Sequence, residues 1–490
     1  MRKLNRHQYQ EMAGRRTAAR TPEVNAHRQT STWQAALREN SNPRASLKPA
    51  QNENRSRNLR DNVVMTTGTI VQHPETKSRS KAGNLTLFFA IGYISHGIAM
   101  QFGLISQPVQ YFLMKGLNLS AAQVSSCLAI MMMPWVLKPF MGLVCDFLPL
   151  LGYRRKSYII AANALTAIAF LVMSLTSSLP IVLGTLMLTA IGMALSTALM
   201  AGLATEKGRI DGNTRDYFSA QAMYYYAANI LAAVAGGWLC NNLVPGSALN
   251  VAAGVAAVPV FVVSLVSFKL LNEEKTTFDL PKMRETWTSF KGIFQSRALW
   301  ITAAFAWCWN FTPAFGVPLY FFQSNTLHFA QSSIGQLVAW NSAGMMLGAY
   351  VYKRFVKDLP IRLQLGIIIA LVSSSTLAYF FLSNVATAVV LEAFRGMASL
   401  IGLLFIYALA AENCPPRTEV SVIAAMIAVR NFAVEASTFA GGNLFTHVFH
   451  NSLAPLLVLT AVFPILSVLL FPLIARSNSE RLDAHGLSSS

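Results

Sequence analysis

Charged side chains are scarce in this chain, since only 12% of its 490 residues are Asp, Glu, Lys or Arg. An ordinary soluble domain carries about 25% charged residues. Hydrophobic residues, in contrast, make up 53% of the sequence. The shortage of charge therefore argues against a soluble globular protein and predicts a chain that crosses a membrane several times.

Patterns typical of enzymes and metal sites are also missing from the sequence. The five cysteines are far apart and follow no metal-ligand spacing, at Cys127, Cys145, Cys240, Cys308 and Cys414. The sequence contains no glycine-rich nucleotide loop and no Ser/His/Asp arrangement. We interpret the cysteines as small buried apolar residues and expect no metal, no cofactor and no enzyme activity. A membrane-embedded enzyme is the most remote alternative.

The first 83 residues form a distinct polar segment, with 16 Lys or Arg against 6 Asp or Glu. So polar a segment cannot bury enough apolar surface to offset the entropy of ordering the chain. We predict that residues 1–83 are a disordered, basic tail in the cytoplasm. The net charge of +18 is concentrated in this tail and in short loops between apolar runs. We therefore expect the basic tail to contact anionic lipid of the bilayer, and we expect no nucleic-acid partner.

From residue 84 onward, apolar runs alternate with short polar loops. A helix needs about 20 apolar residues to cross a bilayer. Pro134 and Pro139 predict a kink in the second of these runs. The sequence predicts twelve membrane helices, roughly at 86–113, 121–144, 157–177, 180–203, 217–241, 250–271, 298–322, 333–356, 363–382, 385–411, 420–447 and 453–475.

The predicted helices fall into two sets of six, at 84–271 and 298–475, joined by a central loop at 272–297. Two sets of six helices are typical of transporters built from two pseudo-symmetric halves. Within the central loop, residues 287–294 have apolar side chains at helical spacing, which predicts a short interfacial helix. Residues 476–490 form the predicted C-terminal tail.

Cations between the predicted helices lie almost entirely on one side of the membrane. If the N-terminus is inside, the inner loops hold clusters such as Arg154, Arg155 and Lys156, whereas the outer loops hold one cation, Lys115. Cytoplasmic loops of membrane proteins carry an excess of Lys and Arg. We therefore predict a protein of the inner or plasma membrane with both termini in the cytoplasm.

Residues 135–155 combine several unusual features, namely Lys138, Pro139, Gly142, Asp146, Pro149, Gly152, Tyr153, Arg154 and Arg155. This segment resembles the second-helix signature of the folate–biopterin transporter family, within the major facilitator superfamily. Residues 411–415, A-E-N-C-P, resemble the turn that follows the tenth helix of that family. At residue 201 this chain has alanine, where many relatives carry an aspartate.

The resemblance implies an all-α membrane protein with twelve transmembrane helices in two pseudo-symmetric six-helix halves. It also implies a secondary active transporter, a symporter that moves a small folate- or pterin-like solute by alternating access together with protons. Two alternatives stay open. One is a permease for another bulky polar cargo, such as a siderophore, a muropeptide or S-adenosylmethionine, and the other is a non-transporting assembly or receptor protein on the same fold. The sequence leaves the direction of transport and the oligomeric state open.

Four ionisable residues lie inside the tenth and eleventh predicted helices: Glu392, Arg395, Arg430 and Glu435. Charges at membrane depth are costly, so they usually pair with one another or serve a function. Glu392 and Arg395 are three apart and hence neighbours on the tenth helix, and we expect that they could pair across the two helices, as Glu392 with Arg430 or Arg395 with Glu435. Such a pair either locks the helices together or opens when an anionic substrate or a proton arrives.

Further candidates for substrate binding or coupling are polar and aromatic side chains inside the predicted helices. They are His96, Gln101, Gln107, Gln110, Lys138, Gln221, Asn229, Trp307, Trp309, Asn310, Asn341 and Asn431. Polar side chains in a membrane helix either bond neighbouring helices together or bind cargo, and the sequence leaves both roles open. Trp307 and Trp309 are candidates for stacking on a flat heteroaromatic cargo. Lys138 either reaches the inner interface or lines the cavity.

Charged residues at the inner helix ends are candidates for a gate. We interpret Asp146, Arg154 and Arg155 as a conformational latch, in which Asp146 accepts hydrogen bonds from a helix N-terminus or from an arginine. Glu206 and Glu412 are further gating candidates at the ends of the fourth and tenth predicted helices. A purely topological role of the arginines is the alternative.

Overall fold

The computed structural model describes residues 74–100, 103–211, 214–278, 284, 297–412 and 419–470. The first helix begins at Pro74, so the last ten residues of the predicted tail are helical. The rest of that tail, residues 1–73, lies outside the described residues. So do the predicted interfacial helix at 287–294 and the C-terminal tail at 476–490.

Helices α1 to α6 form the first half of the molecule. Helix α1 has three segments, Pro74–Ala99, Ser106–Tyr111 and Phe112–Gly116. Helix α2 also has three, Ala121–Met131, Met133–Trp135 and Lys138–Phe147. The others are α3 (Lys156–Ser174), α4 (Leu179–Asp211), α5 (Thr214–Asn242) and α6 (Pro245–Leu270).

Helices α7 to α12 form the second half. Helix α7 has three segments, Arg297–Asn310, Val317–Phe321 and Phe322–Thr326. Helix α8 joins Gln331–Val351 to Tyr352–Val356, and α9 joins Ile361–Leu377 to Ala378–Phe381. They are followed by α10 (Val385–Glu412), α11 (Glu419–Asn443 with Leu444–Val448) and α12 (Ala454–Leu466 with Ser467–Leu470).

Each of the twelve predicted membrane segments coincides with one of these helices. Five are long and apolar enough in one piece to cross a bilayer: Lys156–Ser174, Leu179–Lys207, Pro245–Leu270, Ile361–Phe381 and Val385–Leu409. Breaks shorten the apolar pieces of α1, α2 and α7. The kink predicted in α2 is confirmed, because the regular helix stops at Met131 and resumes at Lys138, with Pro134 and Pro139 at the interruption.

The two halves meet where α5 packs on α8 and where α2 packs on α11. Glycine permits both approaches. A Cβ atom on Gly237 of α5 would lie 2.8 Å from the Cα atom of Gly335 on α8. On α11, a Cβ atom on Gly442 would collide with the side chain of Ser125 on α2. Larger residues at these positions would therefore force the halves apart.

Helices α1 and α7 repeat the same irregular structure in the two halves. In each, a break is followed by a short helix and a wide π-helical turn, at Phe112–Gly116 and Phe322–Thr326. A residue in the left-handed conformation then follows, Asn118 with φ 54° and His328 with φ 53°. The matching positions are 210 residues apart, as are Lys115 and Asn325. This repeat confirms the pseudo-symmetry of the predicted fold.

Candidate functional site

The break in α7 is held open by side chains of two neighbouring helices. The backbone N–H of Thr312 donates to Oγ of Ser437 on α11 over 2.8 Å. The N–H of Ala314 donates to Oγ1 of Thr460 on α12 over 3.0 Å. Gly316, with φ 78°, then turns the chain into the next segment. Unpaired backbone groups are costly in a membrane, so irregular backbone at this depth needs such partners.

A cavity of about 110 Å³, partly open to solvent, lies between α1, α2, α4, α7 and α11. Both halves of the molecule contribute to its wall. Apolar side chains dominate the lining, and the polar residues in it are Ser106, Gln110, Glu435 and Thr438. The segments that follow the breaks in α1 and α7 contribute Ser106 and Val317. Small-molecule sites are typically apolar clefts with a few polar groups.

Glu435 is buried in the wall of this cavity, with 5% of the residue exposed. Its carboxylate has no hydrogen bond or ion pair with any described residue. Gln110 of α1, which also lines the cavity, donates from Nε2 to the carbonyl of Ser106 over 3.4 Å, and its Oε1 atom lacks a donor. A protonated Glu435 would supply the kind of O–H donor that this amide oxygen lacks.

Lys138 and Arg430 approach each other around Trp135, at the break of α2. The Lys138 ammonium lies 5.6 Å from the centre of the indole ring. Asn431 donates from Nδ2 to the Trp135 carbonyl over 2.8 Å and accepts at Oδ1 from Nη1 of Arg430 over 3.3 Å. The Arg430 guanidinium lies within electrostatic range of Lys138 and of the hydroxyls of three tyrosines, Tyr225, Tyr226 and Tyr407.

The cross-helix ion pairs expected for α10 and α11 are wrong. Glu392 instead accepts from Arg395, three residues later on the same helix, with Nη2 at 2.8 Å from Oε2. Asn341 of α8 donates to the same oxygen over 3.0 Å. Arg395 also donates to the Tyr379 hydroxyl and lies 4.5 Å from the ring centre of Phe315, in the break of α7. This cluster joins α7, α8, α9 and α10 inside the second half.

His96 connects helices within the first half. It is 3% exposed, and its Nε2 atom lies 3.1 Å from Oγ of Ser196 on α4. Asn163 of α3 donates to the same hydroxyl over 3.0 Å. On α5, Asn229 lies between the two halves, since its Nδ2 is 3.4 Å from the Gly97 carbonyl and its Oδ1 accepts from Ser342 of α8. These contacts favour the helix-bonding role for both residues.

Polar contacts between the halves gather at the end of the bundle where α1 meets α2 and α7 meets α8. Gln107 donates from Nε2 to the carbonyl and to Oε1 of Gln331, over 2.7 and 3.0 Å. Lys115 donates to Oδ1 of Asn325 over 2.6 Å. The Ala122 N–H donates to Oγ1 of Thr446 on α11 over 3.1 Å. The halves are therefore closed against each other at this end.

Trp307 and Trp309 are packed between helices and are absent from the cavity wall. Trp309 is 5% exposed and stacks on Phe305, with its ring against Gly402 of α10. Trp307 stacks on Phe311 at 4.9 Å between ring centres. Two other candidates on these helices also lie apart from the cavity wall: Asn310 donates to the carbonyl of Ala306, and Gln221 is half-buried on α5.

At the opposite end of the bundle, Glu273 occupies the N-terminus of α3. Its carboxylate accepts the backbone N–H groups of Arg154, Arg155 and Lys156 over 2.7 to 3.2 Å, as a helix N-terminus favours. The Arg155 guanidinium pairs with Glu206 of α4 at 2.7 Å. Glu273 therefore accepts hydrogen bonds at this helix N-terminus, and the latch role predicted for Asp146 stays a prediction. The side chains of Asp146, Gln101 and Glu412 lie outside the described part of the chain.

The sequence model of the BT1 family matches residues 96–488. The chain belongs to the BT1 family. It is 26% identical over 380 residues to the folate-biopterin transporter of Synechocystis sp., covering 74% of each chain. It is 23% identical to the probable folate-biopterin transporter 2 of Arabidopsis thaliana, covering 72% and 74%. Folate transporter 2 of Plasmodium falciparum is also 23% identical, with 67% of this chain and 74% of that protein covered.

Solved structures of major facilitator transporters share this fold at low sequence identity. The nucleoside transporter NupG matches with a TM-score of 0.60 and 12% identity, over 81% of this chain and 98% of that one. The D-xylose-proton symporter matches with a TM-score of 0.60 and 15% identity, over 78% and 97%. This member of the BT1 family is therefore an integral membrane protein, a transporter of a small molecule and not an enzyme.

Proposed function

We propose that this BT1 family member carries a folate- or pterin-like solute across the membrane by alternating access between its two halves. The observation that carries the proposal is the cavity to which both halves contribute, next to matching breaks in α1 and α7. Transporters bind cargo near the midplane, often at discontinuous helices in corresponding positions of the two halves. The relatives in Synechocystis and Plasmodium, a folate-biopterin transporter and a folate transporter, suggest the class of cargo.

In this proposal the structure represents an inward-open state. Contacts such as Lys115 with Asn325 and Gln107 with Gln331 join the halves at one end. At the other end, the pair of Arg155 with Glu206 lies within the first half. The positive-inside rule assigns the end near Arg155 to the cytoplasm. In this proposal both termini are cytoplasmic, and the protein resides in the inner or plasma membrane.

Proton coupling is the second part of the proposal, and Glu435 is its proton carrier. Its carboxylate is buried in the cavity wall with no described partner, and an unpaired charge at membrane depth is costly. The proton relieves that cost while the cavity faces the acidic side, and its release on the other side resets the cycle. Glu435 and Gln110 line the same cavity, so in this proposal the proton and the cargo bind in the same space.

Uptake by sealed liposomes tests the proposal. Purified protein is reconstituted, and the accumulation of labelled folate and labelled biopterin is followed under an inward proton gradient. We expect accumulation of at least one of them, and its loss with a protonophore. Binding without uptake would favour the receptor alternative. Uptake of a siderophore, a muropeptide or S-adenosylmethionine, with neither pterin compound moved, would favour a different cargo.

A further inference from the structure

Two cations lie near each other at the α2–α11 contact, and neither forms an ion pair with a described acid. Lys138 and Arg430 are both half-buried and lie within electrostatic range of each other. The three ion pairs among the described residues include neither cation, since they join Arg155 to Glu206, Lys357 to Asp358 and Arg395 to Glu392. Two neighbouring positive charges inside a membrane protein repel each other and lack the solvation of bulk water. A negative group from outside the chain would remove this cost.

Hydrogen bonds fix the positions of the groups around these cations. Asn431 bonds to both the Trp135 carbonyl and the Arg430 guanidinium. The indole ring of Trp135 lies under the Lys138 ammonium. One contact chain thus runs from helix α2 to helix α11 and determines where both charges lie. Since α2 belongs to one half and α11 to the other, a ligand bound here would contact both halves.

A third donor is unsatisfied at the same place. The Nε1–H group of Trp135 has no hydrogen-bond acceptor, although the residue is only 6% exposed. Buried donors of this kind nearly always have a partner. An ammonium, a guanidinium and an indole N–H are all donors without acceptor capacity. Such a set suits a carboxylate better than a neutral pterin ring, because the ring accepts hydrogen bonds but cannot neutralise the two positive charges.

We propose that Lys138, Arg430 and the indole N–H of Trp135 form a binding site for a carboxylate of the cargo, which makes the cargo an organic anion. This inference rests on the proposed transport function and narrows it. Folate carries two carboxylates on its glutamate moiety, whereas biopterin carries none. The site therefore selects folate-like anions over neutral pterins. The rings of Tyr225 and Tyr226, which lie 5.2 Å apart, flank the same region from α5.

Binding to the detergent-purified protein tests the site, with folate, pteroate, biopterin and p-aminobenzoylglutamate as probes. Charge-assisted hydrogen bonds are the strong ones, so Lys138→Gln and Arg430→Gln should each weaken folate binding about tenfold or more. Lys138→Arg keeps the charge and should retain much of the affinity. Lys357→Gln is the matched control, because Lys357 is half-exposed at the end of α8 beside Asp358.

The outcomes separate the anion site from the proposed function. Biopterin binding as tightly as folate, or full folate affinity in both glutamine variants, would overturn the carboxylate site while transport of pterins stands. If folate and biopterin both fail to bind but p-aminobenzoylglutamate binds in a Lys138-dependent way, the site stands and the pterin cargo is wrong. Failure of every carboxylate probe would overturn the site.

Discussion

Lys115 and Asn325 form a 2.6 Å hydrogen bond between equivalent positions of the two halves, 210 residues apart. Each residue lies in the π-helical turn that ends α1 or α7. The pseudo-twofold relation thus brings the two turns together at one end of the bundle. A contact at this position forms and breaks as one half moves against the other. The pair therefore reports directly on the conformational state.

Cross-linking at this pair should stop transport. In a Lys115→Cys, Asn325→Cys double variant, a short thiol-specific cross-linker should hold the halves closed at this end and abolish uptake. Cleavage of the cross-link should restore it, and each single variant with the same reagent serves as a control. Full uptake by the cross-linked protein would mean that this end does not open during the cycle. The measurement is folate uptake into liposomes before and after cleavage.

Glu435→Gln should separate coupling from cargo movement. The amide resembles the protonated acid and cannot release a proton, so accumulation driven by a pH gradient should disappear. Exchange of labelled for unlabelled folate needs no net proton movement and should persist. Asp358→Asn is a suitable control, since that side chain is 83% exposed. Gradient-driven accumulation at the wild-type level in Glu435→Gln would assign the proton to another group.

Arg395→Leu should destabilise the second half. The change leaves the buried Glu392 carboxylate without its cation, and breaking such a pair costs roughly 3 kcal/mol. Because Asn341 still donates to Glu392, some of that cost is offset. The double variant Glu392→Leu, Arg395→Leu should be more stable than Arg395→Leu alone. Thermal unfolding in detergent measures both, and equal stability of the wild type and Arg395→Leu would refute the role of the pair.

Ser437→Ala should loosen the break in α7. Without the hydroxyl, the Thr312 N–H loses its acceptor, and an unsatisfied buried donor costs about 1–3 kcal/mol. Ser437→Thr keeps the hydroxyl and is the matched variant. We expect a lower unfolding temperature and slower folate exchange for alanine only. An unchanged unfolding temperature in Ser437→Ala would mean that the break does not depend on this bond.

Most of the fold was predictable because a membrane imposes a length and a composition on each crossing segment. The twelve runs follow from those constraints, and the kink of α2 follows from Pro134 and Pro139, which interrupt a regular helix. The break in α7 had a local signal as well, since Pro313, Gly316 and Pro318 interrupt its apolar run. The break in α1 lacks so clear a signal, and its recognition depends on the repeat seen in three dimensions.

The site was predictable by residue type but not by partner. Helical spacing places Arg395 beside Glu392 as readily as it allows a neighbour on α11, and only packing decides between them. Glu273 was missed because it lies in the central loop, far in sequence from the α3 terminus that it binds. Lys138 and Arg430 were both candidates, yet 292 positions separate them along the chain. Trp135 lies beside both cations. The only indication of its importance in the sequence was its position at the start of the second-helix signature.

Counterflow tests the central claim most directly. Liposomes that contain the purified protein are loaded with unlabelled folate and diluted into buffer with a trace of labelled folate. Alternating access predicts a transient accumulation of label inside, strong in the wild type, weak in Lys138→Gln and Arg430→Gln, and unchanged in Lys357→Gln. Wild-type liposomes that take up no more label than protein-free liposomes would contradict the account.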